Sequence, residues 1–94
     1  MTFDEATWKS EAAYDEPFPR RRMFDDLVRR IPPGTPRARV IEMLGEPADT
    51  TKFADRGLVY WLGDERSLMS VDSEWAVIDF DDDGGLLRLE RVTD

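Results

Sequence analysis

The sequence predicts an α+β fold: two N-terminal helices packed on one face of a four-stranded antiparallel meander sheet. Apolar residues recur at helical spacing through 20–31 and again through 36–44. From residue 50 onward the apolar period drops to two, in four short runs separated by turn residues. A chain of 94 residues has room for one core, so these segregated helices and strands must share it. The expected organisation is an N-terminal acidic arm with aromatic anchors over residues 1–19, then a single domain over 20–94.

The arm carries Phe3, Trp8, Tyr14 and Phe18 among acids and ends in Pro17-Phe18-Pro19. A short helical turn is expected within 4–14. The aromatics either dock on the body or stay free for a partner; fully mobile tails are poorer in them. Residues 20–31 place Met23, Phe24, Leu27, Val28 and Ile31 on one stripe, with Arg22–Asp26, Asp25–Arg29 and Asp26–Arg30 as i,i+4 pairs opposite. Pro32-Pro33 ends this helix, because the residue before a proline disfavours the α region. In the next helix, 36–44, Thr35 is the expected cap and Pro36 the first helical residue. Val40, Ile41 and Leu44 form its apolar face, Gly45 suits a left-handed stop, and Pro47 blocks continuation.

The expected strands are 50–54, 58–62, 74–81 and 86–92. Asp55-Arg56-Gly57 turns between the first two, and Leu68-Met69 of the 64–73 loop is expected to touch the core. The last two strands form a hairpin. A turn at Asp83-Gly84 sets Asp79 opposite Arg88, Ile78 opposite Leu89 and Phe80 opposite Leu87. Shifting the turn by one residue would set Asp79 against Glu90, like against like.

Composition excludes more than it proposes. There is no Cys and no His, hence no disulfide framework, thiolate nucleophile, zinc ribbon or imidazole base. Ser10, Ser67, Ser70 and Ser73 therefore lack an activating base, and the carboxylates sit on solvated turns. The chain reads as no enzyme and needs no cofactor. Net charge −8 argues against nucleic-acid binding, since phosphate affinity depends on Lys and Arg. No apolar run spans a bilayer. The acidic start is the reverse of a signal peptide, so the expected location is cytoplasmic, or the envelope if a leader was removed.

The hairpin also matches a calcium pattern: Asp79, Asp81 and Asp83, then Gly84, then Glu90 at EF-hand spacing. An EF-hand needs a helix on each side, and the flanking segments alternate like strands. No metal site is expected. Weak calcium binding at Asp81, Asp82 and Asp83 is the alternative, making the acidic hairpin a cation or small-ligand site.

Charge is segregated: residues 1–19 carry −4, 20–39 carry +5, 40–63 carry −2 and 64–94 carry −7. Arg20, Arg21, Arg22, Arg29, Arg30, Arg37 and Arg39 either pair internally or offer a patch to an acidic partner. Strand parity places Val59, Trp61, Trp75 and Val77 on the sheet face opposite the helices. Such an apolar patch is either a protein-binding surface or lies under a covering arm, with Trp8 the natural cover.

The run Gly34-Thr35, Val40, Leu44-Gly45 and Pro47 resembles the helix-turn signature of the SmpA/OmlA (BamE-type) domain family. Trp8, Met23, Asp26 and Leu27 upstream, then Tyr60-Trp61-Leu62-Gly63 and the Trp75-to-Gly84 hairpin, are similar to its other elements; together the likeness covers about residues 20–92. The resemblance implies two helices followed by an antiparallel sheet, similar to one repeat of the β-lactamase inhibitor protein. It also implies a noncatalytic protein-binding module, with outer-membrane assembly and enzyme inhibition among the family's roles. The chain departs from the assembly lipoproteins in lacking a leader and a lipid-bearing Cys. The expected function is thus a protein-interaction module for an unknown protein partner, contacting it through Trp61, Trp75, Val59 and Val77.

Overall fold

A computed structural model describes residues 1–50, 52–64 and 72–94. The elements run α1 (Glu5–Lys9), a 3₁₀ turn (Glu11–Tyr14), α2 (Pro19–Arg30), α3 (Arg37–Leu44), β1 (Leu58–Asp64), β2 (Ser73–Phe80) and β3 (Leu86–Thr93). The class is α+β, but among the described residues there are three α-helices, not two, and the sheet has three strands in the order β1-β2-β3, both pairs antiparallel, not four.

The missing strand is the one expected over 50–54. Residues 52–55 are a turn, Phe53 takes φ 58°, and Arg56 N–H closes the turn on the Phe53 carbonyl at 2.9 Å. Thr51 lies outside the described residues. The segment crosses a sheet face instead of lengthening the sheet. Its few apolar and long side chains gain more there, with Phe53 edge-on to Trp75 (6.3 Å between centroids) and Arg56 on Asp79 and Glu90.

The two longer helices form where the apolar spacing places them. Met23, Phe24 and Leu27 of α2 are buried, as are Val40, Met43 and Leu44 of α3. Gly45 ends α3 at φ 78°, its N–H on the Ile41 carbonyl at 2.7 Å. The start of α3 differs from expectation. Thr35 does not cap it; its hydroxyl donates to the Pro32 carbonyl at 2.7 Å, and Pro36 is the flanking residue. The hairpin caps the helix instead, through Arg37 N–H on the Gly84 carbonyl at 3.1 Å.

The arm is docked. Trp8 and Ala13 are fully buried, and Phe3 and Phe18 nearly so. Asp4 caps α1 through Thr7 N–H, and Phe3 N–H donates to Asp26 at 2.7 Å, which with Arg30 holds the Asp26 carboxyl below its ordinary range. Trp8 lies in the same core as Met23, Leu27, Leu44, Tyr60 and Ile78, so residues 1–18 complete the main core.

The hairpin register matches expectation at Asp79–Arg88 and Ile78–Leu89 but not at its tip, where Phe80 pairs with Leu86 beyond a bulge. The loop is longer than two residues. Gly84 N–H reaches the Asp81 carbonyl at 3.0 Å, with Gly84 at φ 84°, a type I turn closed by a left-handed glycine.

Candidate functional site

The four residues expected to meet a partner are enclosed by the chain itself. Val77 is fully buried, Val59 and Trp75 nearly so, and Trp61 half-buried, packed with Ala48, Phe53 and Val92. Parity placed them together correctly; their exposure is what the structure corrects. The covering ring is not Trp8, which faces the other way against Tyr60, centroids 6.1 Å apart. Tyr14 stacks on Trp61 at 5.6 Å and 13°, and Phe18 meets it edge-on at 5.5 Å. Leu68 and Met69 lie outside the described residues.

The acidic tip is spent on its own backbone. Asp81 Oδ1 accepts the N–H groups of Asp83 and Gly85, both at 3.0 Å. Asp81, Asp82 and Asp83 are exposed, and no three carboxylates converge into a metal site among the described residues. The other two residues of the calcium pattern serve an ion-pair cluster. Arg56 donates to both oxygens of Asp79, at 2.7 and 2.5 Å, and to Glu90; Arg88 adds a bond to Asp79 at 2.9 Å. These bonds hold the Asp79 carboxyl down at about 2 and raise the Arg56 pKa. Asp79 and Glu90 thus share a cation, although the register keeps them from facing each other.

The least expected geometry is at the two edges of the sheet. Along β1 the outward carbonyls are taken. Ala48 N–H bonds the Val59 carbonyl at 2.8 Å, Arg20 Nη1 the Trp61 carbonyl at 3.2 Å, and Arg21 Nη1 the Asp64 carbonyl at 2.6 Å. Arg20 is 4% exposed. Its Nε donates to the Trp8 carbonyl at 2.7 Å, and its guanidinium lies over the Trp8 and Tyr14 rings at 5.0 and 4.8 Å. Burial lowers its pKa and Tyr14 opposes that, so the group remains a cation solvated by carbonyls and π faces.

The β3 edge is different. Ser73 and Asp94 exchange both backbone bonds, at 3.1 and 2.9 Å, which sets the phase of the β2–β3 ladder. Antiparallel pairs alternate. Val92, Glu90 and Arg88 therefore bond toward β2, and Thr93, Arg91 and Leu89 turn their N–H and C=O groups outward. No backbone group among the described residues covers those three. Among the described residues only the start of the strand is closed, where Gly34 N–H reaches the Leu86 carbonyl and Leu86 N–H the Thr35 carbonyl, each at 2.8 Å. Leu87, next to that seal, is 57% exposed.

A groove opens between this edge and α2, lined by Met1, Arg21, Arg22, Asp25 and Arg91. Arg91 lies over the Phe24 ring at 4.8 Å and 3.5 Å from Asp25; Arg21 is 3.3 Å from Glu74. A second depression shares Met1, Arg22 and Asp25 and reaches Asp26 and Arg29. The expected i,i+4 pairing holds for Asp26–Arg30 alone, at 2.6 Å. Arg22 and Arg29 are exposed, and neither forms an ion pair with a carboxylate among the described residues, Arg29 acting on Asp26 only through its charge. The sequence signalled this edge only in part: the last strand of a meander must lie at an edge, but what covers it is a tertiary matter. Nothing in the sequence marked Arg20 as the residue that seals β1.

No helix among the described residues is long and apolar enough to cross a membrane. No protein-family model, curated protein or solved structure matches this chain.

Proposed function

We propose that the chain is a noncatalytic protein-interaction module that takes an extended segment of its partner along β3. The observation that carries this reading is the uncovered row of backbone groups at Leu89, Arg91 and Thr93, beside a β1 edge whose carbonyls are capped. An open edge is a template for strand addition: main-chain bonds supply affinity, and alternate side chains supply specificity. The resemblance to SmpA/OmlA domains supports a protein-binding role. Val59, Trp61, Trp75 and Val77 then stiffen the sheet from within instead of touching the partner.

A photo-crosslinking residue placed at Leu87, in the cell the protein comes from, tests this. One or a few discrete protein adducts are expected there. None are expected from the same residue at Asp82, which is exposed on the hairpin tip away from the edge. Silence at Leu87, or the same adducts from both positions, would overturn the reading.

A further inference from the structure

We infer that the segment β3 accepts is acidic, with its carboxylates on the α2 side; this rests on the reading of the β3 edge as a protein-binding site. A strand added to β3 would lay every second side chain toward the helix face, where Arg91 projects beside Phe24 and the groove lined by Arg21 and Arg22 begins. Helix α2 carries five Arg against two Asp, and Arg22, exposed in the lining of the groove, forms no ion pair with a described carboxylate. Guanidinium groups favour carboxylates, with planar two-point hydrogen bonding. The other side chains of the incoming strand would lie beside Val92, Glu90, which is held by Arg56, and the Arg88 stem, a mixed strip whose apolar end at Val92 suits β-branched residues. Helix α2 carries +3 while the rest of the chain carries −11, so a negative segment at this edge is drawn to its α2 side.

A second copy of this chain fits the edge poorly. Antiparallel self-pairing centred on Leu89 would pair Arg88 favourably with the copy's Glu90. But it would bring the copy's Val92 opposite Leu86, the place already held by Gly34 and Thr35. Centring on Glu90 or Arg91 avoids that clash but sets a charge against itself across the two-fold axis. Like charges directly opposed destabilise a strand pair.

Two capped ten-residue peptides, one alternating Glu and Val and its twin alternating Lys and Val, are titrated into the ¹⁵N-labelled chain. The Glu peptide is expected to shift the amides of Leu89, Arg91 and Thr93. It should bind at least about tenfold tighter than the Lys twin, with the preference shrinking as salt screens it. Arg22→Glu, an exposed change that spares the core, should erase most of that preference while leaving the amide spectrum folded. Binding of the Lys twin at the same amides, as tight or tighter, would overturn the acidic partner and leave the edge reading standing. If neither peptide moves those amides, the edge reading itself fails. A doubling of the 10.9 kDa mass with concentration, lost on Arg88→Glu, would assign the edge to a second copy and overturn the proposal.

Discussion

The two edges of the sheet answer the same physical problem in different ways. Each presents backbone donors and acceptors that need partners. At β1 the chain supplies donors for the outward carbonyls: a backbone amide from Ala48 and guanidinium groups from Arg20 and Arg21 at the start of α2. At β3, among the described residues, it supplies partners at Leu86 alone and leaves Leu89, Arg91 and Thr93 to solvent or to another strand. A helix that starts beside β1 can aim its first-turn side chains at that strand's carbonyls. Further along, α2 reaches β3 only through side-chain contacts such as Phe24 with Arg91 and Asp25 with Arg91, which leave the backbone groups of β3 free.

The largest way to break the contrast is to unseal β1. Arg20→Ala leaves the Trp8 and Trp61 carbonyls without their donor and removes the cation between Trp8 and Tyr14. A loss of about 3 kcal/mol is expected in urea unfolding. Arg20→Lys should recover only part of it, because an ammonium cannot reach both carbonyls and lie flat between two rings. A loss below about 0.5 kcal/mol, the range of ordinary surface changes, would mean the guanidinium is not what closes this edge.

Opening the sealed end of β3 should cost less. A Cβ on Gly85 would stand 3.0 Å from the Gly34 Cα and 3.1 Å from its carbonyl oxygen, so backbone must move. Gly85→Ala is expected to cost about 2 kcal/mol and to speed hydrogen exchange at the Leu86 amide. Unchanged exchange at Leu86 would show that the seal does not depend on this close approach.

The smallest expected effect is the acid response of the cluster that braces β3 against β2. The Asp79 carboxyl sits at about 2, below its ordinary 3.8, because Arg56 and then Arg88 bond its charged form. Its contribution is therefore full above the ordinary carboxylate range and lost as pH falls through about 2. Asp79→Asn should remove about 1 kcal/mol at neutral pH and flatten the stability profile over that acid window, measured by denaturant unfolding. A profile identical to the parent's would mean another carboxylate governs the acid limb.

Fold legibility followed the range of the interactions involved. Helices α2 and α3 and the pairing of Asp79 with Arg88 were legible because local periodicity and a near-neighbour hairpin determine them. The strand expected at 50–54 was not, because Phe53 and Arg56 spend their side chains on β2 and β3, partners more than twenty residues away. The tryptophan patch shows the same division. Alternation alone joins Val59, Trp61, Trp75 and Val77 on one face, but Tyr14, Phe18 and Phe53 cover it from separate parts of the chain.

By itself the sequence determined the α+β class, the boundaries of α2 and α3 to within a residue or two, the face of the β-strand side chains away from the hairpin-tip bulge, and a chemistry without imidazole or thiol. These follow from periods of 3.6 and 2 and from composition, which need no knowledge of neighbours. The tertiary structure alone decided that the sheet has three strands, that the arm completes the core, and that the tryptophan face is closed. It also decided that the open backbone lies on β3, because which groups are covered depends on where distant segments come to rest.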